Sequence, residues 1–222
     1  MTAARLGAIL ALVLGLRPAF AQAGHDPAHS PFRDVRHGST VRVIAGHFSG
    51  DRGTIQVGPS EGPTGGLRYE YAVSNLLMFA AGVSYAQTTA FFVNPYDSIP
   101  KPYGPIDNDL VMADLSIQAS LTGSKTFYGF QPYVGGALGF VFGSPIGADT
   151  SGYSFGTKFS VAPDFGVRWY PARRLSAELD YRVVYYKQQY PLSYRPTLVP
   201  LTQSLTEWTS HPWVTFGIGW TF

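Results

Sequence analysis

Residues 213–222 read WVTFGIGWTF, and this stretch decides the fold class. Val214, Phe216, Ile218, Trp220 and Phe222 alternate with Trp213, Thr215, Gly217, Gly219 and Thr221. A period of two belongs to an extended strand, whose successive side chains point to opposite faces. The face with the large residues must meet an apolar medium, while the other face is mostly small or hydroxylated. A strand with lipid outside and a crowded polar lumen inside has this pattern. A soluble lipid-binding barrel would carry the reverse, bulky apolar residues inside and charges outside.

Working outward, eight strand-like segments lie near 39–48, 65–73, 76–87, 109–121, 131–142, 156–170, 175–187 and 208–222. The connections at 74–75, 122–130 and 171–174 are short, whereas 49–64, 88–108, 143–155 and 188–207 are long and polar or proline-rich. This asymmetry places short turns in the periplasm and long loops outside, with both termini periplasmic. The expected fold is all-β, an eight-stranded antiparallel up-and-down transmembrane barrel.

Parity within the strands tests that expectation. In the sixth strand Phe159, Val161, Phe165, Val167 and Trp169 oppose Lys158, Ser160, Asp164, Gly166 and Arg168. In the seventh, Leu175, Ala177, Leu179, Tyr181, Val183 and Tyr185 oppose Ser176, Glu178, Asp180, Arg182 and Tyr186. Leu67, Tyr69 and Tyr71 oppose Arg68 and Glu70, and Val111, Leu115, Ile117 and Leu121 oppose Asp114, Ser116 and Gln118. The first strand reads in either parity, so an inward Arg42 is an assumption.

The other end of the chain gives an address. Met1–Arg5 is a short basic start, Leu6–Leu16 an apolar run, and Ala19-Phe20-Ala21 an A-x-A cleavage site. Residues 1–21 are expected to be a cleaved signal peptide, 22–38 a flexible periplasmic segment, and 39–222 the outer-membrane barrel. Cleavage removes two of the 16 basic side chains, Arg5 and Arg17, leaving 14 against 14 acidic ones. The mature chain is neutral, and nothing in it suggests a nucleic-acid footprint, which would need clustered excess charge. With no cysteine, an exported chain has no disulfide framework and depends on backbone hydrogen bonds and burial.

The pattern resembles the small eight-stranded outer-membrane barrels, the OmpA-like and OmpX-like transmembrane domains, over about 39–222. Gly66-Leu67-Arg68-Tyr69-Glu70-Tyr71 before a short turn, Gln131-Pro132-Tyr133 opening a glycine-rich strand, and the terminal aromatic carry the resemblance. It implies that Trp220 and Phe222 form the signal read by the barrel-assembly machinery. It also implies outer-membrane lipid, including lipopolysaccharide, as the surroundings. No peptidoglycan-binding domain follows, so the anchoring role of longer relatives is not implied.

An eight-stranded barrel is just wide enough for side chains to fill its interior. The inward set contains Arg42, Arg68, Lys158, Arg168 and Arg182 against Glu70, Asp114, Asp164, Glu178 and Asp180. Unpaired charges there would cost several kcal/mol each, so a salt-bridged plug is expected. The alternative use of the same residues is a narrow channel or proton path. An enzymatic reading rests on Glu207, Thr209 and His211, which alternate onto one inward face. Lipid A-editing barrels resemble this scaffold, and one deacylase type sets a His and a Ser two residues apart. Here Ser210 and His211 are adjacent and point to opposite faces. No catalytic residue and no metal or other cofactor is expected. His25, His29 and His37 could hold a metal on a helix, against which Pro27 and Pro31 argue. The Pro- and Tyr-rich loops offer Tyr96, Tyr103, Tyr190 and Tyr194 as contacts for an extracellular ligand. The expected role is structural or surface-interacting, for a monomer.

Overall fold

The computed structural model describes residues 30–35, 38–97, 101–144, 153–195 and 198–222. The expected signal peptide and the three histidines at 25, 29 and 37 lie outside them.

Eight long strands form the barrel. They are β2 (Ser39–Phe48), β3 (Gly62–Ala72), β4 (Leu77–Ala86), β7 (Leu110–Ser120), β9 (Phe130–Gly143), β10 (Thr157–Trp169), β11 (Leu175–Gln189) and β12 (Thr206–Thr221). Each pairs antiparallel with its chain neighbours, and β12 pairs with β2 to close the sheet. Closure leaves no unpaired barrel edge, which lets β-structure span a membrane where water cannot satisfy backbone groups. Four shorter strands decorate the ends. β1 (Phe32–Asp34) pairs with β8 (Lys125–Phe127) beside the short turns, and β5 (Thr89–Val93) pairs with β6 (Pro102–Asp107) in a long loop. Within the segment expected to be flexible, the described residues Phe32–Asp34 form a strand paired with the barrel's own turn.

Burial follows the parity argument. Val43, Leu67, Val83, Leu115, Leu138, Phe165, Leu179, Phe216 and Ile218 are exposed on the outer wall. In water such a continuous apolar surface would drive association, and a lipid surround removes the cost. Aromatic rings gather at both margins. Trp169, Phe130 and Trp220 lie near the short turns, and Phe142, Phe159, Tyr185 and Trp208 near the long loops. No helix among the described residues is long and apolar enough to cross a membrane.

The register also settles the first strand. Arg42 stands opposite Arg68 and is buried, so Thr40, Arg42 and Ile44 face the lumen. Glycines on the inward face of β12 make room for it. A Cβ on Gly217 would sit 2.7 Å from Arg42 Cδ. The small face of WVTFGIGWTF is thus the space that a buried arginine occupies.

Candidate functional site: the filled lumen

The half of the lumen nearest the short turns is ionic. Arg42 donates to both Glu70 oxygens, Nε to Oε1 at 2.8 Å and Nη2 to Oε2 at 3.0 Å. This forked geometry is the strong form of a carboxylate pair. Glu178 sits among three guanidiniums. Arg168 Nε donates to its Oε2 at 2.8 Å, Arg68 Nη1 to its Oε1 at 3.0 Å, and Arg42 Nε lies 3.6 Å from Oε2. Arg168 also donates to Gln118 and lies 4.1 Å over the Tyr133 ring.

Toward the middle of the barrel, Arg182 serves three acids. Its nearest oxygens are Asp180 at 3.1 Å, Asp114 at 3.5 Å and Asp164 at 3.8 Å. Neutral donors complete the set, Tyr133 Oη to Asp180 at 2.7 Å and Gln118 Nε2 to Asp164 at 2.8 Å. Such buried charges are tolerable only when paired and hydrogen-bonded. Nine of the ten charged residues expected in the lumen network therefore interlock. The tenth does not. Lys158 lies on the outer rim, partly exposed, with its ammonium 5.6 Å from the Phe155 ring and no carboxylate in ion-pair range among the described residues.

The half nearest the long loops is apolar, which the sequence reading did not anticipate. Phe48, Ala86, Leu110, Met112, Ala137, Val141, Phe155, Ala162, Val184, Tyr186 and Trp213 pack into one buried cluster. The inward parity of the strands changes character along its length, from charged at Arg182 to apolar at Val184, and from Asp114 to Met112 and Leu110. Reading each strand in halves would have found it. The void in this layer is about 10 Å³, room for no more than one water. At the opposite mouth, bordered by Thr40, Gln118, Gln131, Arg168 and Tyr170, it is about 30 Å³.

His211 is buried in the upper layer, its ring stacked 4.2 Å from Tyr186 and 5.5 Å from Phe48. Its Nδ1 accepts from the Asp51 backbone N–H at 2.9 Å, so the neutral ring carries its proton on Nε2. Nε2 therefore donates to Thr209 Oγ1, 2.8 Å away. A histidine donating to the hydroxyl cannot take its proton, and the pair is not an activated nucleophile. Glu207 does not orient His211 either. It accepts from Thr54 N at 2.8 Å, Thr54 Oγ1 at 2.6 Å and the Tyr190 hydroxyl. These bonds fasten the loop after β2 over the lumen. Among the described residues no group of three or more His, Cys, Asp or Glu side chains is placed to hold a metal ion.

Above the apolar layer the long loops pack on themselves through Val57, Ala90, Val93, Tyr153, Tyr190, Tyr194 and Val199. Tyr190 and Tyr194, expected as ligand contacts, are 4% and 0% exposed and belong to this cluster. Burial, with the Glu207 carboxylate beside it, pushes the Tyr190 phenol up. Tyr96 is 79% exposed and Tyr103 37%, so of the four only these two present substantial surface. Tyr103 stacks on Phe92 and donates to Asp97 at 2.6 Å. Trp220 and Phe222 are exposed on the outer wall at the short-turn end.

No protein-family model and no curated protein matches the chain. Solved structures do. Neisserial surface protein A aligns over 83% of this chain and 97% of its own, at 19% identity and a TM-score of 0.55. The outer-membrane protein OprG of Pseudomonas aeruginosa aligns over 85% and 98%, at 14% identity and a TM-score of 0.52. With the closed sheet and its apolar outer belt, these likenesses give the chain the fold of the small eight-stranded outer-membrane β-barrels, with the bacterial outer membrane as its place.

Proposed function

We propose that the protein is a sealed barrel with a structural and surface-presenting role, carrying neither solutes nor a reaction through its lumen. The observation behind this reading is that two unlike layers fill the interior in series. An ion entering from the short-turn end meets guanidiniums and carboxylates already paired with one another. One entering from the other end must cross an apolar layer whose free space is about 10 Å³. Conduction would require both to open. The exposed surface left for recognition is on the loops, where Tyr96, Leu192 and Leu201 are each more than two-thirds exposed. Rigid scaffolds commonly carry binding residues on such loops.

The test is ion conductance of the refolded mature protein in a planar bilayer, with insertion confirmed by the gel shift on boiling. Silence from inserted protein is expected. Steady conductance, altered by Glu178→Gln or Arg182→Gln, would overturn the seal and make the molecule a channel.

A further inference from the structure

At the outer rim, three adjacent strands place a cation on the lipid-facing wall. Lys187 of β11 stands on the outward parity, with Trp208 of β12 directly opposite and Gln189 paired with Thr206 on the next outward rung. On the other side β10 contributes Thr157 and Phe159 from its outward face. Together these six line a recess of about 330 Å³, and Lys158 borders it from the opposite parity.

The described residues of the recess offer hydrogen-bond donors and include no carboxylate. Lys187 Nζ and the Gln189 amide can only be matched by acceptors on their N–H groups, and the Thr157 hydroxyl can donate as well. The Thr206 hydroxyl already shares a 3.0 Å bond with Ser204 Oγ. Neither lysine forms an ion pair with any described carboxylate. A cation on the lipid face is costly at the bilayer midplane and nearly free at the interface, so Lys187 marks headgroup level in the outer leaflet. Trp208 and Phe159, 61% and 51% exposed, flank it with apolar rings of the kind that sit at that boundary.

We propose that this recess binds the phosphate of a phosphorylated outer-leaflet glycolipid of the lipid A class. Lys187 supplies the central charge, Gln189 and Thr157 add neutral donors, Lys158 adds positive potential from behind, and the two rings pack against the lipid body. The inference rests on the outer-membrane placement and is independent of whether the lumen conducts.

The test uses mature protein folded into phosphatidylcholine vesicles containing either lipid A or lipid A stripped of its phosphates, reading the temperature at which the folded gel band is lost. Lipid A should raise that midpoint, and the dephosphorylated form should not. Lys187→Glu should abolish the rise, Lys187→Gln should weaken lipid A binding about fivefold, as expected for one interfacial lysine, and Lys187→Arg should retain it. Lys101→Glu, an exposed loop cation away from the recess, serves as the control and should leave the rise intact. An equal rise for the native protein and both Lys187→Glu and Lys187→Gln would overturn the site. So would a rise of the same size produced by inorganic phosphate in pure phosphatidylcholine vesicles, which would make it a free-anion site.

Discussion

The two halves of the lumen solve the same problem with opposite chemistry. Near the short turns, space is filled by arginines and acids that neutralise one another. Near the long loops, it is filled by rings and aliphatic chains. The ionic half depends on every partner, because removing one leaves others charged and buried. The apolar half loses packing without stranding a charge, since a lost contact leaves only a void. This barrel is therefore most sensitive where a buried charge depends on its partners.

The largest effect is expected at Glu178, which three arginines share. Glu178→Gln leaves Arg168 with Glu70 at 4.0 Å as its nearest remaining acid. Breaking a buried pair from one side costs about 3–5 kcal/mol. Urea unfolding of the vesicle-folded barrel should show a loss of that size, little changed in 1 M salt because buried pairs are poorly screened. In the apolar half, Phe48→Ala removes a ring that packs edge-on to Trp213 at 6.0 Å and over His211. A loss of about 3 kcal/mol is expected by the same measurement. Its conductance is the sharper readout. Phe48→Ala combined with Trp213→Ala should stay silent, because the ionic half still closes the path. Steady current from that pair alone would show that the apolar layer is the only seal.

Gly217→Val tests the boundary between WVTFGIGWTF and the ionic half. The new side chain would meet Arg42 Cδ and Ile44 Cγ2, the latter 3.1 Å from its Cβ. Overpacking of this kind costs about 1–3 kcal/mol. The outward neighbour Ile218→Val should cost much less, since lipid closes around the change.

Much of this architecture was legible in the sequence, for a physical reason. Strands of ten or more residues repeat the period-two signal often enough that chance alternation is a poor rival, and Lys158–Trp169 and Leu175–Tyr186 each sort their charges to one face. β2 was ambiguous because Ile44 shares the inward face with Arg42 while Val41 and Val43 face out. Only its register against β3 decides the matter. Pairings such as Arg68 with Glu178, 110 residues apart, follow from barrel closure and shear, which no local pattern encodes. The apolar upper lumen is not legible from parity alone, because inward parity says which residues point inside and not whether that depth is polar. The burial of Tyr190 and Tyr194 is hidden for a related reason. A tyrosine in a loop suits a wet surface or a buried cluster equally, and the deciding partners Val57 and Ala90 come from other loops.

That contrast among tyrosines gives the smallest predicted effect. Tyr96→Ala removes an exposed ring whose backbone N–H bonds to Asn94 Oδ1 at 3.1 Å, a contact the substitution keeps. Stability should change by less than about 0.5 kcal/mol, as at other exposed positions. Tyr194→Ala, by contrast, empties the centre of the loop cluster and should leave the barrel folded while speeding proteolysis of the loops around it. The loop packing is local, and the strands below keep their own pairings. Limited digestion of the intact, vesicle-embedded protein separates the two. If Tyr96→Ala exposes the loops to protease as strongly as Tyr194→Ala, the exposed hairpin and the buried cluster form one cooperative unit. Tyr96 would then be a structural residue, and the surface proposed for recognition would shrink to Leu192 and Leu201.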